Sequence, residues 1–467
     1  MDLVAKLWNF CHTLRHEGVD YNDYIEELTY LIFLKLSDER DIFIPNECSW
    51  KELTKYEGED LLRKYNNILQ QLSNEPGILK DIFSEPIAKI RNSSSLKKLL
   101  NLIDEVNWHE YNEDILGGMF EGLLDKAASE GKKGAGQYFT PRPLIESIVR
   151  VMKPDPFENP NFSVADVASG TAGFLISSFE WAKTKYKLKN FNDTQKDKFY
   201  NRTFYGQELV RRPRRLAQMN LYLHGINPGN INLGDTIYDP YDPTKDKTFS
   251  CVLTNPPFGT KGSNQIPDRN FKIKTSNKQL NFLQHIYSCL EDKGRTAIIL
   301  PDNVLFEEKA AEIWKYVMTD CNVHTILKLP RGTFAPYAQG VKASVIFFQK
   351  GCPTKDIWIY DARSNIKGVT KRGRPLTYKN FEDFEKNYGE DPNGASERHD
   401  LGINGRFRKF SIDTIKDDNY KLDIDWLKDD AEDFYHDLSS EKIVKETIDE
   451  VNEMLKELKE ILNLLEN

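Results

Sequence analysis

Four consecutive residues, Asn255-Pro256-Pro257-Phe258, follow the short apolar run Cys251-Val252-Leu253-Thr254. A polar side chain, two prolines and an aromatic at the C-terminal end of a strand make a rigid turn. They stand at the edge where open α/β sheets hold ligands. The chemistry this suits is narrow. An exocyclic amine on a base, or an amide, is a poor nucleophile because its lone pair is delocalised. Two acceptors aimed at its two hydrogens draw the nitrogen toward tetrahedral geometry and free that pair. The side-chain oxygen of Asn255 and the carbonyl of Pro256 can supply them. Proline lacks an N–H and fixes φ, so the acceptors are preorganised. Phe258 offers a face on which a planar base stacks. Alone, the four residues also read as an ordinary strand-ending turn.

A second stretch, Asp166-Val167-Ala168-Ser169-Gly170-Thr171-Ala172-Gly173-Phe174-Leu175, links a short strand to a helical run. Its small residues let a ligand lie against the backbone, as a nucleotide-like cofactor does, or simply make a tight βα turn. The chain has neither GxGxxG nor a Walker A sequence at this point. Glu208, in Tyr205-Gly206-Gln207-Glu208, ends the next candidate strand. An acid there accepts from two ribose hydroxyls, or is a solvated surface group. Asp235, in Leu233-Gly234-Asp235-Thr236, either accepts from an adenine amine or shapes a turn. His224 and His285 lie in helical patterns and read as structural.

These residues need a sheet to position them. Apolar runs at 163–168, 203–206, 250–254, 296–300, 325–329, 343–348 and 357–360 alternate with helical stretches. That alternation predicts a parallel sheet covered on both faces, a doubly wound α/β domain over residues 131–412. Residues 1–130 show helical spacing only: Leu3, Leu7, Phe10 and Leu14 behind a possible Asp2 cap, then segments from Asn22, at 61–72 and at 96–106. A helical tail covers 413–467. Within it residues 441–467 form one broad apolar face opposite lysines and glutamates. That helix packs on its own domain or docks a partner helix.

The 64 Lys+Arg against 72 Asp+Glu leave a net charge of −8, which argues against coating nucleic acid by bulk charge. Local clusters exist instead: Arg211, Arg212, Arg214 and Arg215; Lys367, Lys371, Arg372 and Arg374; Arg406, Arg408 and Lys409. The first reads as a charged helix start, the other two as phosphate contacts. No apolar run of membrane-spanning length and no signal-like N-terminus is present, and the six cysteines form no CxxC pair. A cytoplasmic, membrane-free protein with reduced thiols and no metal site is expected.

Taken in order, Gln137-Tyr138-Phe139-Thr140-Pro141-Arg142, the Asp166–Leu175 loop, Tyr205–Leu209, Gly234-Asp235 and Asn255–Phe258 resemble the S-adenosylmethionine-dependent adenine-N6 DNA methyltransferases. The nearest likeness is to the modification subunit of type I restriction–modification systems. Thr275–Phe282, Leu329–Phe334 and Arg406–Phe410 resemble it too, and the likeness covers essentially the whole chain. It implies a Rossmann-like methyltransferase domain (an α/β fold) with an all-helical N-terminal domain and a C-terminal helical tail.

The resemblance also implies roles. Gln137, Tyr138, Phe139, Thr140, Pro141 and Arg142 would wrap the methionine end of S-adenosyl-L-methionine, with Thr140 near its carboxylate. Asp166 and Gly170, Thr171, Ala172 and Gly173 would line it, Glu208 would hold its ribose and Asp235 its adenine amine. Asn255 and Pro256 would bind the target N6 amine, held rigid by Pro257, with Phe258 stacked on a flipped adenine. Lys371, Arg372, Arg374, Arg406 and Arg408 are the candidate DNA contacts. The chain departs from the family pattern at Val167, often proline, and at Ala172, commonly glycine.

Methyl transfer would be direct and in line, with neither metal nor covalent enzyme intermediate. No segment is large enough to read DNA sequence, so the implied partners are duplex DNA and a specificity subunit, two copies of this chain for each. A motor-nuclease restriction subunit is a further possible partner. The competing readings are a glutamine-N5 protein methyltransferase, a cytosine-N4 enzyme, and a non-catalytic DNA-binding scaffold.

Overall fold

The computed structural model describes residues 3–39, 44–111, 113–130, 140–258, 265–334, 341–365, 369 and 375–427. Seven helices come first: α1 Leu3–His16, α2 Tyr21–Glu39, α3 Trp50–Leu53, α4 Gly58–Leu72, α5 Ile78–Ile82, α6 Ser93–Asp104 and α7 Glu113–Glu130. Capping explains several boundaries. The Ser49 side chain accepts from Glu52 N, and the Asn92 side chain accepts from Ser94 N and Ser95 N. Their apolar faces share one core, which includes Leu28, Leu69, Leu99 and Phe120.

The strands are β1 Val164–Asp166, β2 Phe204–Glu208, β3 Ile231–Leu233, β4 Phe249–Thr254, β5 Leu290–Pro301, β6 Cys321–Lys328, β7 Ala343–Lys350, β8 Asp356–Asp361 and β9 Phe407–Ser411. They form one sheet in the order β3-β2-β1-β4-β5-β7-β6-β8-β9. The remaining helices are α8 Arg142–Met152, α9 Gly173–Lys185, α10 Asp193–Asn201, α11 Arg211–Leu223, α12 Lys278–Cys289, α13 Glu308–Asp320, α14 Glu382–Tyr388 and α15 Ile412–Asp417. One sheet face packs on α8, α9 and α14, the other on α12 and α13, with separate buried cores. Strands covered on both faces are buried along nearly their whole length, as β4 and β7 are.

The sheet is mixed rather than parallel. β7 runs antiparallel to both β5 and β6, and β9 antiparallel to β8. A parallel return needs a crossover helix. None lies between Lys328 and Ala343 among the described residues, and Leu329 N donates to Ala343 O, so the chain turns back on itself. An apolar run carries no record of strand direction.

The arginine cluster at the start of α11 joins the two layers of the molecule. Arg212 pairs with Asp23 and with Glu26, the latter at 3.0 Å; Arg215 pairs with Glu26; and Arg214 reaches Asp81 at 3.0 Å. Leu216, Met219 and Leu223 on the same helix complete the core of the first seven helices. α11 therefore belongs to both layers.

The tail departs from the 413–467 helical segment expected from sequence. After α15, residues 418–427 are irregular and pinned to the sheet. Leu422 is fully buried, and the buried Lys328 ammonium meets Asp423, Asp425 and the Ile424 carbonyl. The amphipathic stretch 441–467 lies outside the described residues, as do Asp2, Gln137, Tyr138, Phe139, Lys371, Arg372 and Arg374. Among the described residues no helix is long and apolar enough to cross a membrane.

Candidate active site

The parallel strands β2, β1 and β4 end side by side, and the small-residue loop sits on their C-terminal edge. Asp166 closes β1 opposite Gly206 of β2. Its side chain is 2 % exposed and turned inward: its Oδ1 accepts from Thr254 Oγ1 at 2.6 Å and from Ala168 N at 3.1 Å. Burial raises its pKa to about 7, against those two bonds. Asp166 thus fastens the loop to the end of β4, one residue before Asn255.

The loop is held from both sides. Ser169 N donates to Gln207 O, and Gly170 N to Glu208 Oε2 at 2.9 Å. The Asn220 side chain of α11 donates to Thr171 O at 3.0 Å. Gly170 has φ 52°, and a Cβ built there meets nothing within 4 Å, so the space above the loop is open. Ala172 adopts φ 68°, the left-handed conformation, as the N-cap of α9. That explains why glycine suits this position and shows that this chain accepts the strain of alanine there.

Glu208 also accepts from Val210 N through Oε1 at 2.9 Å. Burial raises its pKa, against its backbone hydrogen bonds. Backbone amides of Val210, Gly170 and Leu209 act on this carboxylate, and of its four lone pairs at least one is left for a ligand hydroxyl. Asp235 shapes a turn: its Oδ1 accepts from Ile237 N and Tyr238 N. Leu209, Val210 and Leu233, at the ends of β2 and β3, are exposed apolar side chains beside these acids. They suit the flat face of a heterocycle, and sequence reasoning missed them because single apolar residues after a strand carry no signal.

Asn255 is the centre of the arrangement. Its Nδ2 donates to Thr140 Oγ1 at 2.8 Å, and its Oδ1 is buried with no hydrogen-bond partner. Pinning the amino side of the amide leaves a preoriented acceptor. Gln279, 1 % exposed at the start of α12, donates from Nε2 to Pro257 O at 3.0 Å. Asn277 caps that helix by accepting from Gln279 N and Leu280 N. Phe258 is 6 % exposed and packs edge-to-face on Phe334, with centroids 5.0 Å apart and planes at 87°. The Leu329–Phe334 segment delivers Phe334 through Gly332, whose φ is 81° and where a Cβ would lie 2.1 Å from Val369 O.

Thr140 and Pro141 lead into α8 beside the loop. Arg142 pairs with Glu121 and, at 3.0 Å, with Glu146. A small cleft opens here, lined by Thr140, Thr171 and Gly173 together with residues of α7 and α11. Three buried acceptors without partners surround the loop: Asn255 Oδ1, Ser169 Oγ and Asn220 Oδ1. Orphan acceptors, a ribose-suited carboxylate and an open loop fit an adenosyl cofactor carrying an amino acid.

The other sequence candidates fall elsewhere. Arg406 and Arg408 sit at β9, the far edge of the sheet. Arg408 stacks on Phe410 and Trp426 and faces Asp400 at 3.9 Å. His224 and His285 are buried; the ring Nδ1 of His224 bonds Asn220 O and that of His285 meets Arg269. Burial lowers the His285 pKa to about 3. Among the described residues no His, Cys, Asp and Glu cluster could hold a metal ion.

Residues 111–433 match the family model for N-6 DNA methylase, and residues 3–41 match that of the HsdM N-terminal domain. The chain belongs to the N-6 DNA methylase family. It is 40% identical to the methylase subunit of the type I restriction enzyme StySJI from Salmonella typhimurium, over 92% of this chain and 88% of that one. The crystal structure of the EcoKI M protein matches with a TM-score of 0.57 at 34% identity, covering 98% of this chain and 96% of that one. A chain from a structural study of complex assembly in a type I R-M system matches with a TM-score of 0.76 at 27% identity, covering 100% and 98%. Within the family the chain is a type I methylase subunit, an S-adenosylmethionine-dependent, adenine-specific DNA methyltransferase with the methyltransferase fold. A protein-directed glutamine enzyme and a cytosine-N4 enzyme are thereby set aside.

Proposed function

We propose that this chain methylates N6 of an adenine flipped out of duplex DNA, and that a separate subunit chooses the site. The observation that carries the reading is the buried, partnerless Oδ1 of Asn255 at the C-terminal edge of β4. A buried acceptor without a donor costs about 1–3 kcal/mol, so its retention favours a donor that arrives with substrate. An N6 amine brings two hydrogens, one for Asn255 Oδ1 and one for the Pro256 carbonyl. S-adenosylmethionine supplies the sulfonium-activated methyl group when bound. Glu208 would hold its ribose hydroxyls, the loop at Gly170 to Gly173 would lie along it, and Leu209, Val210 and Leu233 would cover its adenine. Thr140 and Gln279 hold the acceptors in place through Asn255 and Pro257. Phe258 would stack on the flipped base, giving up part of its present cover against Phe334.

The proposed domain division is a helical unit over 1–130, the catalytic unit over 131–412, and a partner-docking tail over 413–467. The relatives named above are subunits of type I restriction enzymes, which supports assembly with other subunits; the proposed partners are a specificity subunit, bound by two copies of this chain, and a motor-nuclease subunit. DNA phosphates would be met by Lys371, Arg372, Arg374 and Arg406, with Arg408 the weakest candidate because it is already stacked and paired.

The test is expression of the chain with its specificity subunit in a host lacking adenine methylation, followed by mass detection of N6-methyladenine in its DNA. Wild type is expected to give the modified base and Asn255→Ala none. Equal product from both, or none from wild type, refutes the reading.

A further inference from the structure

Helix α7 belongs to the N-terminal helical layer, yet it walls the cleft beside the cofactor loop. Glu121 and Asp125 stand one turn apart on it, so both carboxylates face the cleft, and both line it. The charges around them do not balance. Among the described residues lining the cleft Arg142 is the one cation; it pairs with Glu121 and Glu146 and also attracts Asp125. Burial, and then repulsion from Glu121, raise the Asp125 pKa to about 6 against the attraction of Arg142. Among the described residues one cation thus serves three carboxylates.

A second group points the same way. Asn220 of α11 is 1 % exposed and lines the same cleft. Its Nδ2 is spent on Thr171 O, which fixes the amide, while its Oδ1 is buried with no partner. Among the described residues the cleft lining therefore includes a carboxylate, Asp125, and an amide, Asn220, whose oxygen has no partner, both of them acceptors. A primary ammonium group answers that set: one positive charge and three N–H donors. Thr140, Thr171 and Gly173, which belong to the cofactor segments, line the cleft as well.

We propose that Asp125 and Asn220 form the subsite for the α-ammonium group of the cofactor's amino-acid end, so that a helix of the N-terminal layer completes the cofactor site. The inference rests on the cofactor reading above. It makes the seating of α7, and with it the helices packed on α7, sensitive to cofactor occupancy.

The experiment is calorimetric titration of the full-length chain with S-adenosylhomocysteine and with its desamino analogue, in which hydrogen replaces the α-ammonium group. For the wild type, removal of that group is expected to weaken binding about 10–100-fold, the range for a charge-assisted hydrogen bond. In Asp125→Asn and Asp125→Ala, S-adenosylhomocysteine should weaken by a similar factor. The desamino analogue should change less than about threefold, so discrimination collapses. The readout is a ratio of affinities, which an unfolded fraction does not move. Equal weakening of both ligands, or unchanged discrimination, overturns the subsite and leaves the cofactor reading standing. A wild-type chain that binds neither ligand overturns both.

Discussion

Replacing Thr140 with valine separates two roles for one hydroxyl. The resemblance to the family assigns Thr140 to the cofactor's carboxylate, whereas here Oγ1 accepts from Asn255 Nδ2 at 2.8 Å. Valine keeps the shape and removes the acceptor. Nδ2 then loses its partner in a site where Thr140 is only 9 % exposed, at a cost of about 1–3 kcal/mol. The amide is free to turn, and the orphan Oδ1 is no longer aimed. At about 1.4 kcal/mol per tenfold, the loss of preorganisation amounts to roughly 5–150-fold in the methyl-transfer rate. Cofactor affinity should change by less than about threefold. The assay is single-turnover transfer of tritiated methyl groups by the complex with its specificity subunit, alongside calorimetry with S-adenosylhomocysteine. A variant that transfers at the wild-type rate but binds cofactor poorly would refute the assignment and return Thr140 to the carboxylate.

Three further outcomes are expected. Gln279→Leu removes the Nε2 bond to Pro257 O and should slow transfer about tenfold or more while leaving cofactor binding intact, measured in the same two assays. Asp166 has a folded-state pKa raised to about 7, so the stability it contributes is full below about pH 4 and is lost as pH rises through 7. Asp166→Asn should therefore flatten the fall in melting temperature between pH 5 and 8, an effect of at most a few kcal/mol; a profile parallel to wild type would show that Asp166 does not titrate there. Ala172→Gly relieves a left-handed φ of 68° and should stabilise the chain by about 0.5–1 kcal/mol in chemical denaturation, with transfer unchanged; destabilisation would show that the buried methyl outweighs the strain.

What sequence alone determined is local. The expectation for Asn255-Pro256-Pro257-Phe258 could be formed from sequence because a rigid turn with two acceptors is built from adjacent residues. The seven apolar runs read as strands because a buried strand writes its burial into consecutive side chains. Glu208 and the Gly170 loop were legible because each lies at the end of such a run. What tertiary structure alone decided is pairing across distance. Thr140 meets Asn255 across 115 residues, Gln279 meets Pro257 from the following helix, and Thr254 ties down Asp166 across 88 residues. The arginines at 211–215, a charged helix start by sequence, join two layers only because α2 packs against α11. The antiparallel direction of β7 and the place of α7 at the cleft beside the Gly170 loop follow the same rule. A residue's type fixes which bonds it can make; which neighbour receives them is set by how helices and strands distant in the chain bury their apolar faces together.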